Sequence, residues 1–95
     1  MSIDLSWLDD NDHETVMRLS GDLYSTLATV LSALEQKTSL FIDPYGTTRI
    51  SPTHSATLRE LVLARGELNS PEVKALCDLL QSACKDNRWI LVEGD

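Results

Sequence analysis

Apolar positions recur along this chain with two different periods, and the changes of period mark its elements. Ser2 to Leu8 alternates, with Ile3, Leu5 and Trp7 on one side and Ser2, Asp4 and Ser6 on the other. A period of two predicts a half-buried strand, here a short one suited to a sheet edge or a docked arm. From about Glu14 to Gln36 the spacing becomes three and four. Val16, Leu19, Leu23, Leu27, Val30 (or Leu31) and Leu34 fall on one stripe, widened by Met17, Tyr24 and Ala28. That pattern predicts a long amphipathic helix, with Asn11 and Glu14 at capping-box spacing or Asp12 as the cap. Gly21 inside it costs about 1 kcal/mol relative to Ala, which implies a close neighbouring backbone or a joint.

The centre of the chain, Ser39 to Ser51, predicts a β-hairpin. Leu40, Phe41 and Ile42 run in, Asp43-Pro44-Tyr45-Gly46 turns, and Thr47 to Ile50 returns. Asp43 can accept from the backbone two residues on, Pro44 presets φ, and Gly46 is expected at φ > 0. Ser51-Pro52 and Ser70-Pro71 then open two further helices, each with Ser as cap and Pro in the first helical position. The first stops near Arg65 at Gly66, with Leu58, Leu61 and Val62 inward, and Leu68 in the following loop is placed to plug the core edge. The second, about Pro71 to Lys85, has Val73, Leu76, Cys77, Leu80, Ala83 and Cys84 on one face. Arg88 to Val92 closes the chain as a strand apolar on both faces, the signature of a central strand. The expected fold is α/β of the α+β type. A small, mostly antiparallel sheet of three or four strands is packed by three helices, in the order (β)-α-β-β-α-α-β. If those helices cover one sheet face, the other is either covered by the chain itself or left as an apolar patch for a partner.

Length and charge then narrow the function. With 95 residues the chain is a single domain, residues 1–95, and its 42% apolar content supports a packed core. Fifteen acidic residues against eight basic ones leave a net charge of −7. That argues against nucleic acid and anionic membranes as direct partners, since both need clustered cations. With no secretory pattern near Met1 and no long apolar run, a cytoplasmic location is expected.

Chemistry-bearing residues are sparse. Cys77 and Cys84 lie seven apart on one predicted helix, roughly 10 Å along its axis, too far to bridge each other. Both are expected to face the core as reduced thiols. His13 and His54 sit apart at predicted helix starts, so neither a metal site nor a catalytic constellation is expected, and no cofactor. The Asp9, Asp10, Asp12 and Glu14 cluster is either a solvated helix start or a patch for basic groups. Trp7, Tyr45 and Trp89 are the natural aromatic anchors for a partner.

The run Phe41-Ile42-Asp43-Pro44-Tyr45-Gly46-Thr47-Thr48, the helix opening after Ile50 and the closing Glu93-Gly94-Asp95 resemble small acidic immunity proteins of bacterial polymorphic toxin systems (contact-dependent inhibition, Rhs and type VI). The resemblance covers the last 55 residues or so. It implies a short cytoplasmic α/β domain that binds a sibling toxin and blocks it, and it carries over no functional residue. The expected function on that basis is stoichiometric inhibition of a basic toxin domain, not enzymatic catalysis. Asp9, Asp10, Asp12, Glu14, Tyr45, Trp89, Glu93 and Asp95 are the candidate partner-binding residues. The alternative is a structural, adaptor or chaperone-like subunit acting as a homodimer.

Overall fold

The computed structural model describes residues 2–12, 14–66 and 70–94. The alternating N-terminal segment is a strand, β1 (Ser2–Trp7). The segment expected to begin a long helix is instead a second strand, β2 (Thr15–Ser20). Two short helices follow, α1 (Gly21–Thr26) and α2 (Ala28–Thr38). The chain then runs through β3 (Thr47–Ile50), α3 (Pro52–Arg65), α4 (Pro71–Lys85) and β4 (Ile90–Gly94). The strands form one antiparallel sheet in the order β2-β1-β4-β3. The fold class is the α+β arrangement expected from the sequence, with the helices packed on a small antiparallel sheet.

The expected long helix fails at Ser20. Its hydroxyl accepts from the Leu23 backbone N–H at 3.1 Å and caps α1, so Gly21 opens a helix and does not interrupt one. Upstream, β-branched Thr15 and Val16 favour the strand, Arg18 points outward and Leu19 inward. The three-and-four spacing from Val16 to Leu23 therefore spans a strand–helix junction. Beyond it the stripe is real: Leu23, Leu27, Val30 and Leu34 are all buried. With no helix at residue 14, the Asn11–Glu14 capping box does not form, and Asp10 instead accepts the Asp12 N–H at 3.2 Å inside the loop joining β1 to β2. His13 lies outside the described residues, as does Leu68.

The expected central hairpin is also half right. Its turn forms, with Tyr45 N–H donating to Asp43 Oδ1 at 2.9 Å and Gly46 N–H to Asp43 O at 3.4 Å. Gly46 does not take a positive φ; among described glycines only Gly66 does, at 71°. Leu40 to Ile42 form no strand. β3 pairs with β4 instead, Thr48 opposite Val92 and Ile50 opposite Ile90. β4 is central as expected, whereas β1 is an inner strand between β2 and β4 and not an edge.

Side chains alternate across a strand and directly opposed residues share a face. The register therefore puts Ile3, Leu5, Leu19, Ile50, Ile90 and Val92 on one sheet face, where they join Leu58, Val62, Leu76 and Leu80 from α3 and α4 in the core. The other face carries Asp4, Ser6, Arg18, Thr47, Arg49, Leu91 and Glu93, with Ser6 and Leu91 buried among them, while the helix residues of the core gather on the first face. Arg18 and Asp4 pair across it at 2.7 Å. Val16 and Trp89, each 46% exposed, add apolar surface at one end of this open face. Helix α4 buries Cys77 but leaves Cys84 exposed, which corrects the expectation of two core thiols. The burial on α4 is centred on Val73, Leu76, Cys77, Leu80 and Ala83, and Cys84 falls just off its flank.

Candidate functional site

The charge excess is not spread evenly over this fold. On the four helices Asp22, Glu35, Glu60, Glu72 and Asp78 are matched by Lys37, Arg59, Arg65, Lys74 and Lys85. On the open sheet face Asp4 and Glu93 are matched by Arg18 and Arg49. What remains unmatched gathers mainly at one end of the sheet: Asp9, Asp10, Asp12 and Glu14 in the β1–β2 loop, and Asp86 at the end of α4, around a single Arg88.

The backbone builds this end firmly. Leu8 N–H donates to Trp89 O at 3.0 Å, which lays the start of the loop beside the approach to β4, and Asp10 N–H donates to Trp7 O at 3.1 Å. At the end of α4, Asp86 N–H donates to Ser82 O at 2.9 Å. Asn87 takes a left-handed φ of 55°, a region Asn tolerates better than most residues. Arg88 N–H then donates back to Ala83 O at 2.9 Å. The Arg88 guanidinium emerges against Asp9, with Nη2 at 2.7 Å from Oδ1 and Nε at 3.3 and 3.2 Å from Oδ1 and Oδ2. Its Cζ lies 4.1 Å from the centroid of the Trp7 ring, a cation–π contact. The Arg88 hydrogen bonds hold the Asp9 carboxyl below its ordinary range, and the same contact pushes Arg88 further up, assisted by the charges of Asp10 and Asp86.

Of the residues singled out in the sequence, Asp9, Asp10, Asp12, Glu14 and Trp89 come together here. Tyr45, 69% exposed, and Glu93 lie toward the opposite end of β4, where Gly94 N–H meets Gly46 O at 2.8 Å. Five strand residues, roughly 13 Å, separate the two ends. Asp95 lies outside the described residues. Arg88 and Asp86 were missed as parts of the site, while Trp7, expected as an aromatic anchor for a partner, carries the Arg88 guanidinium on its ring face. A turn-forming Asn87 directly before the arginine was the available signal, but its partner Asp9 is 79 positions away.

Among the described residues no comparable cluster gathers elsewhere. An open groove of about 410 Å³ is lined by Ser20, Asp22, Thr26, Gly66, Ser70 and Glu72, but its two serines are committed as helix caps. Among the described residues no three His, Cys, Asp or Glu side chains are grouped to hold a metal ion, and no helix is long and apolar enough to cross a membrane.

No family model matches the chain, and no curated protein does. A solved structure, the Neisseria DNA mimic protein DMP12, matches with a TM-score of 0.71 over 98% of this chain and 99% of that one, at 16% identity. A likeness at that identity speaks for the fold. It also overturns the partner expectation of a basic toxin domain with nucleic acid excluded. That exclusion was drawn from a net charge, and a summed charge does not separate a protein that shuns nucleic-acid sites from one shaped to occupy them. The chain is a small acidic α+β protein that shares its fold with the Neisseria protein DMP12.

Proposed function

We propose that this protein works as a DNA mimic, presenting its acidic end to the phosphate-binding surface of a DNA-binding protein. The observation that carries the reading is the placement of the unmatched carboxylates. Helices and sheet face are balanced, while Asp9, Asp10, Asp12, Glu14 and Asp86 crowd one end around one cation. Duplex DNA carries one charge per 1.7 Å or so of axis, so a stretch as long as the molecule's 27 Å smallest extent would hold about sixteen. The acidic end thus reproduces a short run of phosphates and not a long duplex. A partner would recognise it through a few contacts, with association steered by charge and screened over about 8 Å at physiological salt. Trp89 and Val16, at the same end of the open sheet face, supply apolar contact beside the charge, the composition of a protein interface with a polar rim.

The experiment is a displacement assay. Basic proteins from the source cell are loaded on immobilised fluorescent duplex DNA, and the purified protein is titrated in. Release of a DNA-binding protein into a complex with this chain, weakened by joint neutralisation of Asp10, Asp12, Glu14 and Asp86, is the expected result. If no DNA-binding protein is released, or if the chain itself binds the duplex with comparable affinity, the mimic reading fails.

A further inference from the structure

Arg88 is a cation placed inside a surface whose proposed role depends on negative charge. If charge alone mattered there, the surface would work better without it. The geometry gives Arg88 a different task. Its guanidinium reaches both oxygens of Asp9, one of them at 2.7 Å, while its flat face rests on Trp7. Its own backbone is fixed by the left-handed Asn87 and the bond to Ala83 O. It thereby ties the β1–β2 loop to the end of α4 across 79 positions of sequence. The charges of Asp9, Asp10 and Asp86 all act on it, so it also relieves the mutual repulsion of carboxylates that would otherwise push the loop away from α4.

We infer that Arg88 is the positioning residue of the acidic end. It consumes Asp9 as an internal anchor, so that Asp10, Asp12, Glu14 and Asp86 are the carboxylates offered to a partner. The inference rests on the DNA-mimic reading for its consequence, but not for the clamp itself. Among the described residues none of those four carboxylates forms an ion pair, whereas both Asp9 oxygens are taken. A surface held in its binding shape loses less freedom on association, and that advantage appears mainly in the dissociation rate.

Two variants with opposite charge effects separate clamp from charge. Arg88→Gln makes the end more negative, and Asp9→Asn makes it less so. Charge alone therefore predicts opposite shifts in affinity for a basic partner. The clamp predicts that both variants dissociate faster from the DNA-binding protein identified by displacement, by about tenfold, whatever their association rates do. Arg88→Lys, which keeps the charge and loses the fork, should fall between wild type and Arg88→Gln. Opposite-signed changes in the two variants, or dissociation rates within twofold of wild type in both, overturn the inference. A measurement without any partner keeps the two failures apart. Amide hydrogen exchange at Asp10 and Asp12 should quicken about tenfold in both variants while α3 and α4 amides stay protected. Unchanged loop exchange removes the clamp even if the mimic stands. Quickened exchange with no DNA-binding partner removes the mimic and leaves the clamp.

Discussion

Gly94 is the position where the smallest change should do the most damage. A Cβ added there would stand 2.1 Å from Pro44 O, 2.4 Å from Pro44 C and 3.0 Å from Tyr45 N, where ordinary contact begins near 3.4 Å. The obstacles are backbone atoms of the turn, so no side chain can rotate away. Relief requires the turn and the end of β4 to separate by more than 1 Å, which breaks the 2.8 Å bond from Gly94 N–H to Gly46 O. Overpacking of this kind costs about 1–3 kcal/mol, and the lost hydrogen bond about 0.5–1.5 kcal/mol more. Fraying of the last residue of β4 limits the total, so Gly94→Ala should cost about 2–3 kcal/mol. In a domain of this size that lowers Tm by about 10–20 °C. Two controls make the argument sharp. At Gly46 a Cβ would meet only the Asp43 carboxylate, at 2.6 Å, and that side chain can swing aside, so Gly46→Ala should cost about 1 kcal/mol through the weakened turn bond. At Gly66 nothing lies within 4 Å but φ is +71°, so Gly66→Ala should cost about 1–2 kcal/mol of backbone strain. Thermal melts of the three variants read the order directly. If Gly46→Ala proves as damaging as Gly94→Ala, steric blockage by the turn backbone is the wrong account.

Further outcomes can be checked with simple reagents and spectra. Native protein should react rapidly with a thiol reagent at Cys84 alone, and Cys77, whose thiol is pushed up by burial, should follow only on unfolding; peptide mapping after a brief pulse distinguishes them. Because Arg88 depresses the Asp9 carboxyl, their contact is at full strength above the ordinary carboxylate range and is lost only as pH falls through the lowered folded-state value. Carboxyl NMR should therefore show Asp9 titrating below the ordinary carboxylate range, and Arg88→Gln should return it toward that range. Tyr24 donates to Ile42 O at 3.1 Å and ties the irregular segment before β3 to α1, so Tyr24→Phe should destabilise by about 1 kcal/mol in a denaturant melt.

How much of this was legible in the sequence depends on how far apart the interacting residues lie. Ser51-Pro52, Ser70-Pro71 and Gly66 are local signals: α3 begins and ends, and α4 begins, where those residues place them. The apolar run at Ile90 to Val92 marks a central strand on its own composition. The failures share a cause. Val16, Leu19 and Leu23 keep helical spacing by coincidence across a junction whose true marker is the cap at Ser20. Leu40 to Ile42 resemble a strand, but β3 already has β4 as its partner, and the Asp43 N–H is satisfied by the Thr48 hydroxyl at 3.2 Å. The candidate site was half legible. Its acids stand together in sequence, while the arginine that organises them arrives only after α4. The uneven distribution of charge over the surface emerges only once the helices and the sheet face have been placed.

The sheet order carries a consequence for how the chain reaches this state. β1 has β2 as an immediate neighbour and can zip to it through a short loop, but its other edge stays unpaired until residue 90 has been made. β3 waits for the same strand. On the ribosome, then, a hairpin and the α3–α4 pair can form early, while Ile3, Leu5 and Ile50 remain without the strand that joins their two halves. Closure depends on one late insertion between two waiting edges, a non-local step that is slow by nature and leaves pairing surfaces open to the wrong chain meanwhile. The carboxylates of the β1–β2 loop flank one of those waiting edges. Their repulsion between copies would work against mispairing during the interval before β4 arrives.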